Sequence, residues 1–305
     1  MRIARFRHKG LGRLGVVLGD APDGLSVADL GAADPDLPGD VGALLAGGAI
    51  AGPDGGDFLH HLHHLVSAAP RLALDEVHLE APIPRPPSFL AVGLNYQAHA
   101  SETGRDPQVR SAPPIIFNKQ VTCVTGPVDP IVIPAAAPDH VDYEGELGVV
   151  IGTSCRAVPV ERAPEVVAGY LVVNDVSVRD WQYATNTWTM GKGWDTHGPT
   201  GPWLVTADEL ADPHDLRIRT WVDGETRQDA STADMIHNCW ELIAYLTTAF
   251  TLLPGTIIAT GTPAGVGYTR EPPALLHPGS RVEVEIDGVG RILNPVVAEG
   301  RTPQR

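Results

Sequence analysis

The sequence predicts a β-rich fold, α+β or all-β, and two observations predict it. Short apolar or alternating runs suited to strands recur along most of the chain, at residues 3–6, 14–18, 89–93, 147–151, 171–173, 203–206, 216–222, 256–259 and 281–296. Against them stands one convincing long helical pattern, in which Met235, Ile236, Cys239, Leu242, Ile243, Leu246 and Phe250 repeat with helical period. Strands that do not alternate with helices argue against a doubly wound parallel sheet.

Residues 1–80 read as a small separate domain. Residues 3–6 and 14–18 form a hairpin about a turn at 8–12, followed by a Gly/Pro/Asp-rich middle and helical stretches at 41–45 and 58–68. The second stretch holds His60, His61, His63 and His64. His60 and His64 share a helix face, but no acidic or thiol partner follows at a useful spacing, so a solvated face is expected ahead of a metal site. Pro82, Pro84, Pro86 and Pro87 stiffen a connector. A larger unit is expected over 81–298, with 299–305 as a flexible tail.

The larger unit opens with the buried strand 89–93 and continues into a segment holding His99 and Glu102. Three positions apart, they would lie side by side on one helical turn, and an imidazole held by a carboxylate is a general base able to activate water. Such pairs are also common on ordinary surface helices. Residues 103–114 follow as a polar, Pro-containing loop, either a lid or a plain connection.

Residues 141–152 read Val-Asp-Tyr-Glu-Gly-Glu-Leu-Gly-Val-Val-Ile-Gly. A strand repeats every two residues, so Asp142, Glu144 and Glu146 would share a face. Three carboxylates entering a buried strand repel one another and lose hydration unless a cation offsets them, and hard divalent ions such as Mg²⁺ take oxygen ligands of this sort. Glu283 and Glu285 repeat the Glu-x-Glu spacing in a strictly alternating strand, where they should face water. The spacing alone therefore does not make a site.

Strand 171–173 runs into Asn174 and Asp175, then Arg179 and Gln182. Lysine is scarce, with only Lys9, Lys119 and Lys192 present, and Lys192 stands between two glycines. That placement fits an oxyanion contact, or a plain turn. Leu216 to Val222 meets an Asp223-Gly224 turn and forms a hairpin. Ser231-Thr232-Ala233-Asp234 has the form of a capping box and is expected to open the long helix, with Cys239 in its core. The glycine-rich run 260–267 has neither a phosphate-loop ending nor a dinucleotide-binding spacing, and fits close backbone approach to a small ligand.

Composition narrows the classes. Lys and Arg number 22 against 37 Asp and Glu, a net charge of −15, which disfavours nucleic acid and anionic membranes. Cys123, Cys155 and Cys239 have no zinc-like spacing and fit a reducing compartment. No apolar run reaches the roughly 20 residues of a membrane span. Arg7, Lys9 and Arg13 interrupt any leader-like core, so a cytoplasmic protein is expected.

Five motifs in order, Gly-Leu-Asn-Tyr-x-x-His-x-x-Glu at 93–102, Asp-Tyr-Glu-x-Glu-Leu at 142–147, Asn-Asp-x-Ser-x-Arg-Asp at 174–180, Lys192 with Asp195 and Gly201-Pro202-Trp203, and Thr-Gly-Thr-Pro-x-Gly-Val-Gly at 260–267, make the chain resemble the fumarylacetoacetate hydrolase family over about 82–298. The resemblance implies a mixed β-roll catalytic domain behind a small N-terminal domain, and a homodimer. It implies Mg²⁺ or Mn²⁺, with Ca²⁺ a further candidate, on Glu144, Glu146 and Asp175, leaving Asp142 out of the ligand set. His99 and Glu102 map to the family's catalytic pair and Lys192 to its charge-stabilising lysine. Gln182 and Thr262 map to substrate contacts, and Arg179 is a further candidate.

The expected chemistry follows from these parts. A 2-oxo acid chelates a divalent ion, and cleaving the neighbouring carbon–carbon bond leaves a carbanion that the ion stabilises as an enolate. His99 would activate water against the distal carbonyl of a 1,3-diketo acid of acylpyruvate, fumarylpyruvate or fumarylacetoacetate type, as in aromatic catabolism. Decarboxylation or tautomerisation of oxaloacetate, or isomerisation of a dienoic acid such as 2-hydroxyhepta-2,4-diene-1,7-dioate, uses the same parts without attacking water. A ligand-binding or assembly protein without turnover is the non-enzymatic alternative.

Overall fold

Among the described residues, twelve strands in a single sheet organise the fold. The computed structural model describes residues 1–19, 24–47, 56–104, 110–210 and 212–300. Along its main path the sheet runs Arg71–Ala73, Ser26–Asp29, Leu11–Leu18, Arg2–His8, Gly198–Thr206, Val167–Asn174, Gly145–Ile151, Ile257–Ala259, Phe89–Gly93 and Ile115–Lys119. The expected N-terminal hairpin forms, with Ile3 opposite Val16. Its first strand also pairs with the larger unit, Arg2 opposite Val205 and Ile3 opposite Leu204, so both units contribute to one sheet.

Strands Gly145–Ile151, Val167–Asn174 and Gly198–Thr206 are buried at every position, which is why 147–151, 171–173 and 203–206 within them read as apolar runs. Alternate side chains feed two cores. Leu147, Val149, Ile151 and Val172 pack with Leu242, Ile243 and Leu246 of the helix Cys239–Ala249, and with Ile218, Val284 and Ile292. Val150, Leu171 and Val173 pack on the other side with Leu44 and Leu45 of helix Val41–Ala46 and Leu59 and Leu62 of helix Gly56–Ala68.

Ile218, Val284 and Ile292 belong to a second, five-stranded sheet ordered Glu225–Ser231, Arg217–Val222, Arg281–Ile286, Gly290–Ala298 and Ile131–Ile133. It packs against the first across Gly145, where an added Cβ would lie 2.3 Å from Thr220 Oγ1. This is the β-rich α+β architecture expected from the sequence.

One helix start differs. Ser231 and Asp234 do form a capping box, but it closes only the short turn Thr232–Asp234. Met235 is extended and bridges to Tyr96, and the Ile236 N–H donates to Asn95 O at 2.8 Å. The helix begins four residues later, at Cys239, under a second box made by Asn238 and Glu241. Tertiary pairing with the His99 segment overrides the first cap. Cys239 is buried in the core, and burial pushes its thiol up to about 12. Among the described residues no helix is long and apolar enough to cross a membrane.

Candidate active site

Glu144, Glu146 and Asp175 converge at the ends of two central strands. One carboxylate oxygen from each lies within 4.8 Å of the others, and all three residues are buried. Backbone pairing aligns them: the Asp175 N–H donates to Glu144 O at 2.8 Å, and the Glu144 N–H donates to Asn174 Oδ1 at 3.0 Å. Glu146 Oε2 accepts from the Gly261 N–H at 2.7 Å. Gly261 has φ of 100°, and an added Cβ would lie 2.6 Å from Asn95 Cβ, so the glycine-rich run does bring backbone against the site.

Cations surround this cluster. Lys192 Nζ donates to Glu144 Oε2 at 2.6 Å and to Asp175 Oδ2 at 2.7 Å. Arg179 donates to Glu144 Oε1 at 2.7 Å, to Gln182 Oε1 at 2.9 Å, and through Nε and Nη2 to Asp142 Oδ2. Burial alone would push the Glu144 carboxyl up, but Lys192 and Arg179 outweigh it and hold it well below the usual carboxylate range. Glu146 goes the other way: burial, then the charges of Asp175 and Glu144, push it well up.

The donor set fits a divalent ion. It consists of hard carboxylate oxygens with no thiol or imidazole among them, the preference of Mg²⁺ or Mn²⁺. The raised Glu146 supports the fit, because burial and the charges of Asp175 and Glu144 outweigh the nearby Lys192 and leave this carboxylate short of counter-charge.

His99 sits on the short helix Gln97–Glu102, which leaves strand Phe89–Gly93 through Leu94, at φ of 56°. A left-handed leucine costs about 1–2 kcal/mol. Asn95 holds it there, donating to Thr260 O at 2.7 Å and His237 O at 2.9 Å and accepting from the His237 N–H. His99 Nδ1 lies 2.7 Å from Glu102 Oε1. Glu102 is itself fixed through Oε2 by the Gly265 N–H at 2.8 Å and Thr269 Oγ1 at 3.2 Å. With Nδ1–H directed at Glu102, Nε2 is the basic atom.

A small chamber joins these groups, lined by His99, Glu144, Arg179, Gln182, Lys192 and Thr262 among others. The structure therefore brings together His99, Lys192, Glu144, Arg179, Gln182 and Thr262 around one space, with Glu102 behind His99 and Glu146 and Asp175 behind Glu144. Thr262 is partly committed, donating to Gly145 O at 3.0 Å and accepting from Gln228 Nε2 at 2.7 Å. Asp142 leaves the carboxylate face, because the strand breaks at residues 143–144; it accepts from Arg179 and from the Gly267 and Tyr268 N–H groups. Of the loop 103–114, residues 105–109 lie outside those described, as do 301–305 of the expected tail.

Sequence reading missed Lys119. It ends strand Ile115–Lys119, is buried, and donates to Asp175 Oδ1 at 2.6 Å, to Val176 O at 3.3 Å and to the Lys192 carbonyl. The available signal was a lysine closing an apolar strand in a chain with only three. Gln228 was missed too, and carried no local signal.

The family model for the fumarylacetoacetate (FAA) hydrolase C-terminal domain matches residues 88–297, and the chain belongs to this family of enzymes. It is 40% identical over 301 residues to oxaloacetate tautomerase fahd2, mitochondrial, of Xenopus laevis, covering 97% of this chain and 90% of that one. Its structure matches that of 5-carboxymethyl-2-hydroxymuconate delta-isomerase from Mycobacterium smegmatis with a TM-score of 0.76 and 36% identity, over 99% of this chain and 100% of that one. It also matches maleylpyruvate hydrolase from Sphingobium sp. SYK-6, solved with manganese(II) and pyruvate, with a TM-score of 0.79 and 33% identity, over 98% and 99%.

Proposed function

We propose that this protein is a divalent-metal-dependent hydrolase that cleaves a carbon–carbon bond in a 1,3-diketo acid of the acylpyruvate type. The observation that carries this reading is the His99–Glu102 pair opening on the same chamber as Glu144 and Lys192. Glu144, Glu146 and Asp175 would hold Mg²⁺ or Mn²⁺, which when bound supplies Lewis acidity to the 2-oxo acid head.

The chain's own groups account for the remaining chemistry. His99 Nε2 takes a proton from water, whose oxygen adds to the distal carbonyl carbon; Glu102 steadies the resulting imidazolium. The Lys192 ammonium has three N–H bonds, two committed to Glu144 and Asp175, leaving one to donate to the developing oxyanion beside Gln182. When the carbon–carbon bond breaks, its electron pair stays with the 2-oxo acid fragment, which receives a proton at that carbon from the His99 imidazolium. The products are a carboxylic acid and pyruvate or a relative.

The likeness to the Xenopus tautomerase favours a second reading, in which His99 shuttles the C3 proton of oxaloacetate and no water attacks. A proton NMR time course separates the two. Acetylpyruvate with Mg²⁺ should give acetate and pyruvate, EDTA should stop it, and His99→Gln should slow it about 10²–10⁴-fold. Survival of acetylpyruvate while oxaloacetate interconverts faster than its uncatalysed rate would replace the hydrolase by the tautomerase. Silence from both would turn the test to dienoic acids for isomerase activity and strengthen the binding-protein alternative.

A further inference from the structure

The inner chamber does not end at the catalytic groups. Phe117, Tyr183 and Trp188 line it and also line a larger chamber beside it. The inner space is narrow, about 20 Å³, so a 2-oxo acid head enters it only as the lining side chains draw back, while the outer space is about 570 Å³. Phe117 and Trp188 meet edge to face with ring centroids 5.3 Å apart, and the Tyr183 hydroxyl bonds that of Tyr268 at 2.9 Å, so the shared wall is aromatic and braced. A ligand whose head lies among Lys192, Arg179 and His99 has this outer space for its remainder.

The two chambers differ in charge. The outer one is completed by Ile115, Ile116, Asn118, Thr185, Asn186, Thr187 and Thr189, and no charged side chain lines it among the described residues. The cations of the inner chamber are already paired. Arg179 is committed to Asp142, Glu144 and Gln182, Lys192 to Glu144 and Asp175, and Lys119 to Asp175. Arg110 is bound through Nε and Nη2 to Glu241. A carboxylate in such a space would meet neutral amides and hydroxyls and gain no counter-charge, whereas an alkyl or aryl group would gain contact with Phe117, Trp188 and Ile115.

We propose that the outer chamber receives the tail of a 2-oxo acid substrate and selects tails without charge, so that acylpyruvates ending in an alkyl or aryl group are preferred over those ending in a second carboxylate. This rests on the reading of the inner chamber as the site of the 2-oxo acid head. It assigns specificity to strand Ile115–Lys119 and residues 183–189.

The test uses ligands that bind without being hydrolysed. 2-Oxohexanoate and 2-oxoadipate have the same chain length, differ by a terminal methyl or carboxylate, and lack the second keto group that cleavage needs. Titrated calorimetrically into the Mg²⁺-loaded full-length protein, 2-oxohexanoate should bind at least about tenfold more tightly. Asn118→Arg, a change on the exposed side of the outer chamber, should improve 2-oxoadipate binding at least about tenfold and leave 2-oxohexanoate nearly unchanged. Equal or tighter binding of 2-oxoadipate by the unaltered protein overturns the proposal. So does an Asn118→Arg protein with an unchanged preference, or failure of both ligands to bind. Preference for 2-oxohexanoate without acetylpyruvate hydrolysis supports the chamber assignment and removes the hydrolase reading alone.

Discussion

Lys192→Met tests how the carboxylate cluster is held together. The lysine makes two charge-assisted bonds, 2.6 Å to Glu144 and 2.7 Å to Asp175, in a buried site. Methionine fills similar volume without charge, leaving Glu144 with Arg179 and Asp175 with Lys119 as their remaining cations. Removing one partner of a buried ion pair costs about 3–5 kcal/mol. At about 2 °C per kcal/mol for a chain of this size, the melting temperature in EDTA should fall by about 6–10 °C. Lys192 and a divalent ion would both neutralise Glu144 and Asp175, so the variant, left with less positive charge at those carboxylates, should gain more from Mg²⁺ than the unaltered protein does. At a hundredfold excess over Kd, binding restores about 2.7 kcal/mol. Differential scanning calorimetry in EDTA and in graded Mg²⁺ measures both effects. A variant as stable as the unaltered protein in EDTA would refute the reasoning, and so would a smaller Mg²⁺-induced rise.

Glu146→Gln should act in the opposite sense. Burial and the charges of Asp175 and Glu144 raise the Glu146 carboxyl, so its ionised form costs stability above the ordinary carboxylate pKa. The amide removes that cost and keeps an acceptor for the Gly261 N–H; calorimetry in EDTA at neutral pH should find melting at or above the unaltered value, while Mn²⁺ titration finds affinity at least about tenfold weaker. His197 is buried, with Nε2 2.9 Å from Val132 O, and burial pushes it down to about 4. Below the unfolded-state value near 6.5 the unfolded chain binds a proton that the folded chain refuses, so stability should drop by about 3 kcal/mol between pH 6.5 and 4. Urea unfolding of His197→Gln beside the unaltered protein should show that part of the slope missing. Gly145→Ala should cost about 1–3 kcal/mol in urea unfolding, because the new Cβ meets Thr220 Oγ1 at 2.3 Å and Val284 Cγ1 at 2.9 Å; unchanged stability would mean that the spacing between the sheets adjusts freely.

What the sequence revealed and what it hid divide along the range of the interaction. The central strands were legible because burial on both faces leaves runs such as Leu-Val-Val at 171–173. His99 and Glu102 were legible because one helical turn suffices to join them. Asp142 was expected on the face of Glu144 and Glu146, and alternation would have put it there had the strand been continuous. Instead Val141–Asp142 pairs with Ser177–Val178 as a separate ribbon, and Arg179, on the chain just beyond, binds Asp142. The groups that complete the site come from far away: Lys119 reaches Asp175 across 56 positions, Gly261 reaches Glu146 across 115, and Gly265 reaches Glu102 across 163. Glu283 and Glu285 make the same point by contrast. Their spacing equals that of Glu144 and Glu146, yet they lie part-exposed on the outer face of a central strand beside Arg291 and Arg219, where water screens the charge. Local pattern placed both pairs on strands. Only the residues brought over from distant strands decide which pair is desolvated, and desolvation is what makes a carboxylate cluster favour a divalent ion.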